Sequence, residues 1–178
     1  MQLTLDEWFT KLDKYQERIP LEVLIRGLRR LRLEQAEVEP FVQFSPERYR
    51  RNLMRAGPAY HGLILCWRNG QRSPIHDHRG SACAVRVIRG EATETIFQMT
   101  EEGHLFPART RQLSEGFICA TEDLDIHQLS NLQPGKASLV TLHLYSPPLL
   151  VMGQYSLTDP IVREFNDEVH SFAEGAGI

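Results

Sequence analysis

The part of the sequence from Tyr60 onward most constrains the fold, because it consists of short segments rich in β-branched and aromatic residues. The segments include HGLILCW, ACAVRVI, ATETIFQM, ASLVTLHLYS and LLVMGQYS, and Gly, Pro, Asn or Asp residues lie between them. Such segments at this spacing predict the strands of a sandwich or barrel. No interval between them is long and periodic enough for the helix of a βαβ crossover. We therefore predict a mainly β fold built on an antiparallel β-barrel.

The first third of the chain has a helical pattern instead. Thr4 and Glu7 have the spacing of a capping box, and apolar residues follow them at helical intervals. A second helix is predicted over residues 21–33, where leucine and isoleucine residues share one face. The motif SPE at 45–47 predicts the start of a short third helix that would carry Arg51.

Together these patterns predict one domain over residues 1–178. Its helical segment at 1–55 would pack on a barrel formed by residues 60–156. Residues 157–178 form a C-terminal extension, in which the stretch IVREFNDEVHSF could be a helix or a closing strand. Periodicity does not decide between these two structures.

Composition and charge argue against several classes of partner. Apolar residues make up 42% and charged residues 24% of the chain, as in soluble globular domains. The net charge is −3, with scattered Lys and Arg residues that give no basic surface for nucleic acid. No apolar run is long enough to span a membrane, the N-terminal segment lacks a secretion signal, and the three cysteines lack disulfide spacing. We therefore expect a cytoplasmic protein that is a monomer or a weak oligomer.

The stretch SPIHDHRGSACAVRVIRG contains two histidines that form a candidate metal site. His76 and His78 are two residues apart on a predicted strand, so both imidazoles lie on one face and can bind one ion. Asp77 points to the opposite face, which indicates a structural or supporting role. This pair alone does not distinguish a metal site from chance, but Gly70 and Gly90 lie where tight turns would bound the strand pair.

A second block further along the chain supplies a partner for these histidines. Gly116 opens the block, His127 follows, and Asn131 comes soon after it. Together with the two earlier histidines, these residues resemble the paired metal-binding motifs of the cupin superfamily, whose two blocks face the interior of a small β-barrel. The sequence departs from that pattern at Cys83, which stands in place of a glutamate ligand, and it lacks the proline and glycine of the second block.

The missing carboxylate changes the chemistry of the predicted site. Three neutral imidazoles, from His76, His78 and His127, would leave a divalent ion with its full charge and about three open positions. Such a centre suits an anionic, chelating thiol with dioxygen beside it. Cys83 as a direct ligand is the competing interpretation, since thiolates bind such metals well.

Six sequence blocks carry a more specific resemblance. They are YRRNL at 49–53, LILCW at 63–67, SPIHDH at 73–78, ETIF at 94–97, IHQLSN at 126–131 and LHLYSPP at 142–148. In order and spacing these blocks resemble cysteine dioxygenase, the thiol dioxygenase branch of the cupins. The resemblance implies a cupin-type barrel (a double-stranded β-helix, or jelly roll) with N-terminal helices and with Fe(II) on the three histidines. It also implies the oxidation of L-cysteine by O₂ to cysteine sulfinic acid.

The resemblance further implies roles for residues around the metal. Arg51 would bind the substrate carboxylate through its planar guanidinium, with Tyr49 beside it. The Tyr145 hydroxyl would bind the substrate or oxygen, and its ring would form a thioether cross-link with Cys83. A small buried cysteine without a cross-link is the alternative for Cys83.

Thr141 and His143 share a face of the predicted strand with Tyr145. They match a Ser-His-Tyr relay of the family, with threonine in place of serine, so the catalytic group would comprise these three residues and Cys83. Other residues are assigned without a role in the chemistry. Those expected in the core are Leu65, Trp67 and Phe97, and those expected at the surface are His61, His104 and His170.

Three alternatives to a cysteine dioxygenase remain at this point. A sister enzyme that oxidises 3-mercaptopropionate would share most of the site, although Arg51 in the YRRN block and Cys83 both favour cysteine. A non-catalytic cupin that binds a small ligand would show no O₂ uptake with any thiol. A zinc-dependent cupin isomerase would need the missing carboxylate ligand.

Overall fold

The structure, a computed structural model, describes residues 2–122 and 125–171. Its helices lie in the N-terminal part of the chain and are α1 Leu5–Leu12, α2 Leu21–Arg30, α3 Gln35–Val38 and a 3-10 turn at Glu39–Phe41. The predicted capping box is confirmed. The Thr4 hydroxyl accepts a hydrogen bond from the Glu7 amide (3.2 Å), and the Glu7 carboxylate accepts one from the Thr4 amide (2.9 Å). No helix in this described part of the chain is long and apolar enough to cross a membrane.

Two six-stranded sheets form the rest of the fold. The strands are β1 Arg50–Gly57, β2 Tyr60–Trp67, β3 Ile75–His76, β4 Ala82–Arg89, β5 Ala92–Met99, β6 Leu105–Leu113, β7 Ile118–Thr121, β8 Ile126–Ser130, β9 Leu139–Ser146, β10 Val151–Tyr155, β11 Arg163–Asn166 and β12 Val169–His170. The first sheet has the order β12-β1-β2-β9-β4-β7, and the second has the order β11-β10-β3-β8-β5-β6. Neighbouring strands are antiparallel, apart from the parallel pair of β1 and β12.

Alternate residues of the first sheet face two different layers. Leu63, Leu65 and Trp67 on β2 pack between the sheets, in one cluster with Leu129 of the second sheet. Ile64 on the same strand packs in the cluster that contains α1 and α2. The helices therefore cover one face of the first sheet and the second sheet covers the other. Among the described residues the two sheets face each other without closing into one continuous hydrogen-bonded barrel.

The prediction of a short helix after residue 45 is wrong. Residues Arg50–Gly57 form β1, in which Arg51 pairs with Leu65 of β2. The SPE motif is a local signal, whereas the strand is decided by pairing with β2 on one side and β12 on the other. As a result, the helical part of the chain ends at Phe41, before the predicted boundary at residue 55.

The C-terminal extension, which the sequence left open between helix and strand, contributes strands. β11 pairs with β10, and β12 pairs with β1, so the connection between them passes from one sheet to the other. This connection carries Asp167, whose side chain is buried. Residues 172–178 lie outside the described residues, and the extent of the single domain over 1–178 stays a prediction.

The Ser146–Pro147 peptide bond, at the end of β9, is cis. The expected surface positions of three histidines have different outcomes. Of the three histidines expected at the surface, His104 is exposed, whereas His61 and His170 are partly buried. His61 lies on β2, between β1 and β9 in the first sheet, and neighbouring strands therefore limit its exposure.

Candidate metal centre

Three buried histidines converge between the sheets. His76 on β3 pairs directly with His127 on β8, and His78 follows two residues later in the turn toward β4. One nitrogen from each ring lies within 4.8 Å of the others. The two Nε2 atoms of His78 and His127 are 3.3 Å apart. Strand spacing predicted the pair His76 and His78, the resemblance to the cupin motifs added His127, and the pairing of β3 with β8 brings the set together.

Each of the three imidazoles is held through its Nδ1 atom. Nδ1 of His76 lies 3.0 Å from the carbonyl oxygen of Pro74. Nδ1 of His78 lies 3.1 Å from the hydroxyl of Thr121 on β7. For His127 the partner is the Glu94 carboxylate at 3.0 Å. Because an Nδ1–H donated to a carbonyl or carboxylate leaves Nε2 as an unprotonated acceptor, this arrangement leaves imidazole lone pairs for a metal.

Burial keeps the His76 and His78 rings neutral. Burial, with the neighbouring His127, lowers the pKa of His76 to about 3, and the same causes hold the pKa of His78 well below its ordinary value. Neutral imidazole is the form that binds a metal ion. Two imidazole nitrogens at about 2.1 Å from one ion lie roughly 3.0–3.4 Å apart, which agrees with the separation of the His78 and His127 Nε2 atoms. The donor set therefore fits a divalent metal.

Among the residues that the structure describes, Cys83 is not part of this cluster of potential metal ligands.

Asp77, which points away from the histidines, connects the turn after β3 to β10. Its carboxylate accepts hydrogen bonds from the Gly153 amide (2.8 Å) and the Tyr155 hydroxyl (2.7 Å). Asp77 therefore has the supporting role expected for a residue between two ligands.

Glu94 is a supporting residue that sequence reasoning missed. Its buried carboxylate on β5 accepts hydrogen bonds from His127 Nδ1 (3.0 Å) and from Arg111 Nε (2.6 Å), and Arg111 Nη2 forms an ion pair with it at 2.6 Å. Burial raises the pKa of Glu94, but the bonds from His127 and Arg111 outweigh it, so the pKa lies below its ordinary value. The sequence did contain one indication of this role. Glu94 is an acidic residue two positions after the buried Ala92, so both side chains point inward from the same predicted strand.

A chain of hydrogen bonds connects Trp67 to Tyr145. The Trp67 indole donates to the Thr141 hydroxyl (3.0 Å), which lies 2.9 Å from His143 Nε2, and His143 Nδ1 lies 2.9 Å from the Tyr145 hydroxyl. Burial, with Arg51 nearby, holds the pKa of His143 well below its ordinary value, so the ring is neutral.

The first bond of this chain has a fixed direction, and the later ones depend on the tautomer of His143. An indole N–H only donates, so the Thr141 hydroxyl accepts from Trp67. In the tautomer in which Thr141 donates to His143 Nε2, the His143 proton lies on Nδ1 and is donated to the Tyr145 oxygen. The Tyr145 O–H is then left to donate to another acceptor in the cavity. Trp67, predicted only as a core residue, is both buried and a donor to this chain.

Cys83 and Tyr145 lie directly opposite each other on β4 and β9. Opposite residues of an antiparallel pair have Cβ atoms about 4.5–5.5 Å apart, which brings the thiol beside the ring. Burial, with Cys119 nearby, raises the pKa of the Cys83 thiol, and burial beside Cys83 raises that of Tyr145. Both groups are therefore neutral, and a bond between them stays a prediction.

Arg51 and Tyr49 are buried in the same cavity as the histidines. The Arg51 guanidinium lies over the Tyr145 ring, with its carbon 5.5 Å from the ring centroid. Tyr49 stacks on Trp67, with centroids 4.2 Å apart, and its hydroxyl donates to the carboxylate of Asp167. The structure thus brings together every site residue predicted from sequence and adds Asp167, which no local pattern indicated.

The comparison with protein families identifies this arrangement. The family model "Cysteine dioxygenase type I" matches residues 22–158. Cysteine dioxygenase type 1 of Danio rerio is 34% identical over 113 residues, which cover 61% of this chain and 56% of that protein. The Rattus norvegicus protein of the same description is 33% identical over 117 residues, which cover 64% of this chain and 58% of that protein. The match therefore spans just over half the length of these relatives.

Solved structures support the fold assignment. A Thermus thermophilus protein has a TM-score of 0.53 at 14% identity and covers 62% of this chain and 94% of its own. A Klebsiella pneumoniae protein described as having a double-stranded β-helix domain has a TM-score of 0.50 at 17% identity, covering 65% of this chain and 90% of its own. The two facing sheets thus have the predicted cupin fold. Since the family model matches well over half of the sequence, the chain belongs to the cysteine dioxygenase type I family.

Proposed function

We propose that this protein is a non-haem Fe(II) thiol dioxygenase that oxidises L-cysteine with O₂ to cysteine sulfinic acid. The observation that carries the proposal is a cluster of three buried imidazoles, without a carboxylate ligand among the residues that the structure describes, in one cavity with Arg51 and Tyr145. Family membership supports it. Fe(II) is preferred to Zn(II) because dioxygen chemistry needs a redox-active metal.

The three histidines would hold the metal, which when bound would supply the redox chemistry toward O₂. Arg51 would hold the substrate carboxylate through a bidentate pair of hydrogen bonds. With the His143 proton on Nδ1 and donated to the Tyr145 oxygen, Tyr145 would donate its own hydroxyl proton to the bound ligand. The surrounding apolar residues exclude bulk water, which strengthens both polar contacts.

The decisive experiment loads the protein with Fe(II) without oxygen, adds L-cysteine, and then admits air. We expect O₂ consumption that matches the amount of sulfinate formed. Arg51→Lys should raise KM for L-cysteine, because a lysine cannot reproduce the bidentate pair. Absence of O₂ uptake with any thiol, despite bound iron, would instead support a non-catalytic cupin.

The main rival substrate is 3-mercaptopropionate, which has the thiol and the carboxylate but lacks the amine. Kinetic constants for the two thiols, measured on the same preparation, separate the alternatives. A kcat/KM far higher for 3-mercaptopropionate would overturn the choice of L-cysteine while leaving the class of reaction intact. The cytoplasmic location and the monomeric or weakly oligomeric state stay predictions.

The predicted cross-link between Cys83 Sγ and the Tyr145 ring is proposed as part of this function. Its formation removes two hydrogen atoms, so exposure of the iron-loaded protein to cysteine and O₂ should lower the intact mass by about 2 Da. Cys83→Ser, treated in the same way, is the control and should keep its mass. A mass that stays constant in the unsubstituted protein would argue for a packed, unlinked cysteine.

A further inference from the structure

The turn between β11 and β12 places an acidic side chain inside the candidate active site. The Asp167 side chain is only 2% exposed and lines the same cavity as Arg51 and the three histidines. The cavity has a free volume of about 20 Å³, which is room for roughly one water molecule. Any carboxylate ligand that reaches Arg51 therefore enters a small space that already contains a carboxylate.

Asp167 is bonded mainly to residues other than Arg51. One carboxylate oxygen accepts from the Tyr49 hydroxyl, and the other accepts from the guanidinium of Arg48. Arg48 is partly exposed and packs over the rings of Tyr49 and Phe165. Nη1 of Arg51, by contrast, is 3.8 Å from the nearer carboxylate oxygen, which is an ion pair without a hydrogen bond.

The orientation of Arg51 does not depend on that carboxylate. Nη1 donates to the backbone carbonyl of Asp167 (2.9 Å), and Nη2 donates to the backbone carbonyl of Leu149 (3.1 Å). These two bonds fix the guanidinium plane, and a substitution of the Asp167 side chain leaves both acceptors in place. The remaining effect of the carboxylate on Arg51 is electrostatic.

We propose that Asp167 is an internal competitor for Arg51, which sets how tightly the site binds the carboxylate of its substrate. A ligand carboxylate on Arg51 must approach the fixed negative charge of Asp167, and like charges at close range in a buried site repel strongly. Arg48 moderates this repulsion, because it neutralises part of the Asp167 charge from the outside. The inference rests on the proposed function in one respect, namely that the ligand carries a carboxylate.

The test measures binding without turnover, so its result is independent of whether oxidation occurs. Calorimetric titration of the Fe(II)-loaded protein under nitrogen gives the Kd of L-cysteine and of 2-aminoethanethiol, which has the same thiol and amine but no carboxylate. Asp167→Asn keeps an acceptor for Tyr49 and removes the charge. We expect it to tighten L-cysteine binding by about tenfold and to change 2-aminoethanethiol binding by less than about twofold.

The matched control is Asp159→Asn in the same C-terminal extension, where Asp159 pairs with Arg163 at the surface. It should leave both Kd values unchanged. Arg48→Gln is a second variant that keeps the Asp167 charge and removes its outer partner, so it should weaken L-cysteine binding with little effect on 2-aminoethanethiol. Unchanged or weaker L-cysteine binding in Asp167→Asn would overturn the proposal, as would equal tightening for both ligands. Failure of the proposed function would appear separately, as absent O₂ uptake in air.

Discussion

Glu94→Gln gives the sharpest test of how the protein supports its metal ligands. Glu94 is fully buried and accepts from His127 Nδ1 on one side and from Arg111 on the other. Glutamine has nearly the same shape, but one of the two acceptor oxygens becomes an NH₂ donor. If the NH₂ faces Arg111, two donors meet. If it faces His127, the imidazole proton moves to Nε2 and blocks the metal.

Either orientation should weaken metal binding. Loss of a carboxylate partner to a metal-ligating histidine typically costs 10–100-fold in affinity, about 1.4–2.8 kcal/mol. Because burial prevents water from replacing the lost acceptor, we expect Glu94→Gln to lie toward the upper end of that range. The assay is competition for Fe(II) with a chromophoric chelator under nitrogen.

The control for this variant is Glu39→Gln, which breaks a surface ion pair with Arg89 (3.2 Å). Exposed ion pairs contribute little to stability, so the metal affinity of Glu39→Gln should match that of the unsubstituted protein. If Glu94→Gln bound Fe(II) as tightly as Glu39→Gln, the role assigned to the Arg111–Glu94–His127 chain would be refuted.

Three further substitutions test other parts of the structure. Thr141→Val removes the link between Trp67 and His143 and should lower kcat by at least about tenfold, whereas Thr141→Ser should restore most of it; equal activity of the two variants would contradict the hydrogen-bond chain. Gly153→Ala places a Cβ 2.6 Å from Asp77 Oδ2 and should reduce the free energy of unfolding in urea by about 1–3 kcal/mol. Gly27→Ala on α2 would normally stabilise a helix by about 1 kcal/mol, but its Cβ would lie 2.0 Å from Trp8 Nε1. We expect a lower melting temperature, and a higher one would contradict the close packing of α1 on α2.

Local patterns were sufficient for the features that depend on nearby residues. The capping box at Thr4 forms between residues three apart, and the turns at Gly70, Gly90 and Gly116 have the positive φ angles (85°, 82° and 82°) that glycine adopts without strain. The alternation of β2 side chains between the two core clusters likewise follows from the period of a strand. The metal ligands could be predicted because the two blocks that carry them resemble the paired cupin motifs.

The errors and omissions of the sequence interpretation share a cause. The SPE motif indicated a helix, but the residues that follow it pair with β2 and β12. A local sequence pattern contains no information about these pairing partners. Trp67 was predicted only as a core residue, and its hydrogen-bond partner Thr141 lies 74 positions away in sequence. The partnership is therefore a property of sheet packing, and no spacing rule indicates it.

By itself, the sequence determined the strand-rich composition, the covalent order of the motifs and the three imidazoles available for a metal. Only the tertiary structure decided how these groups are polarised and what surrounds them. The contact of Glu94 with His127, the bond from Trp67 to the chain that ends at Tyr145, and the position of Asp167 beside Arg51 all depend on contacts between distant segments. The physical reason is that burial and hydrogen-bond partners fix charge and protonation, and both are set by how the two sheets pack.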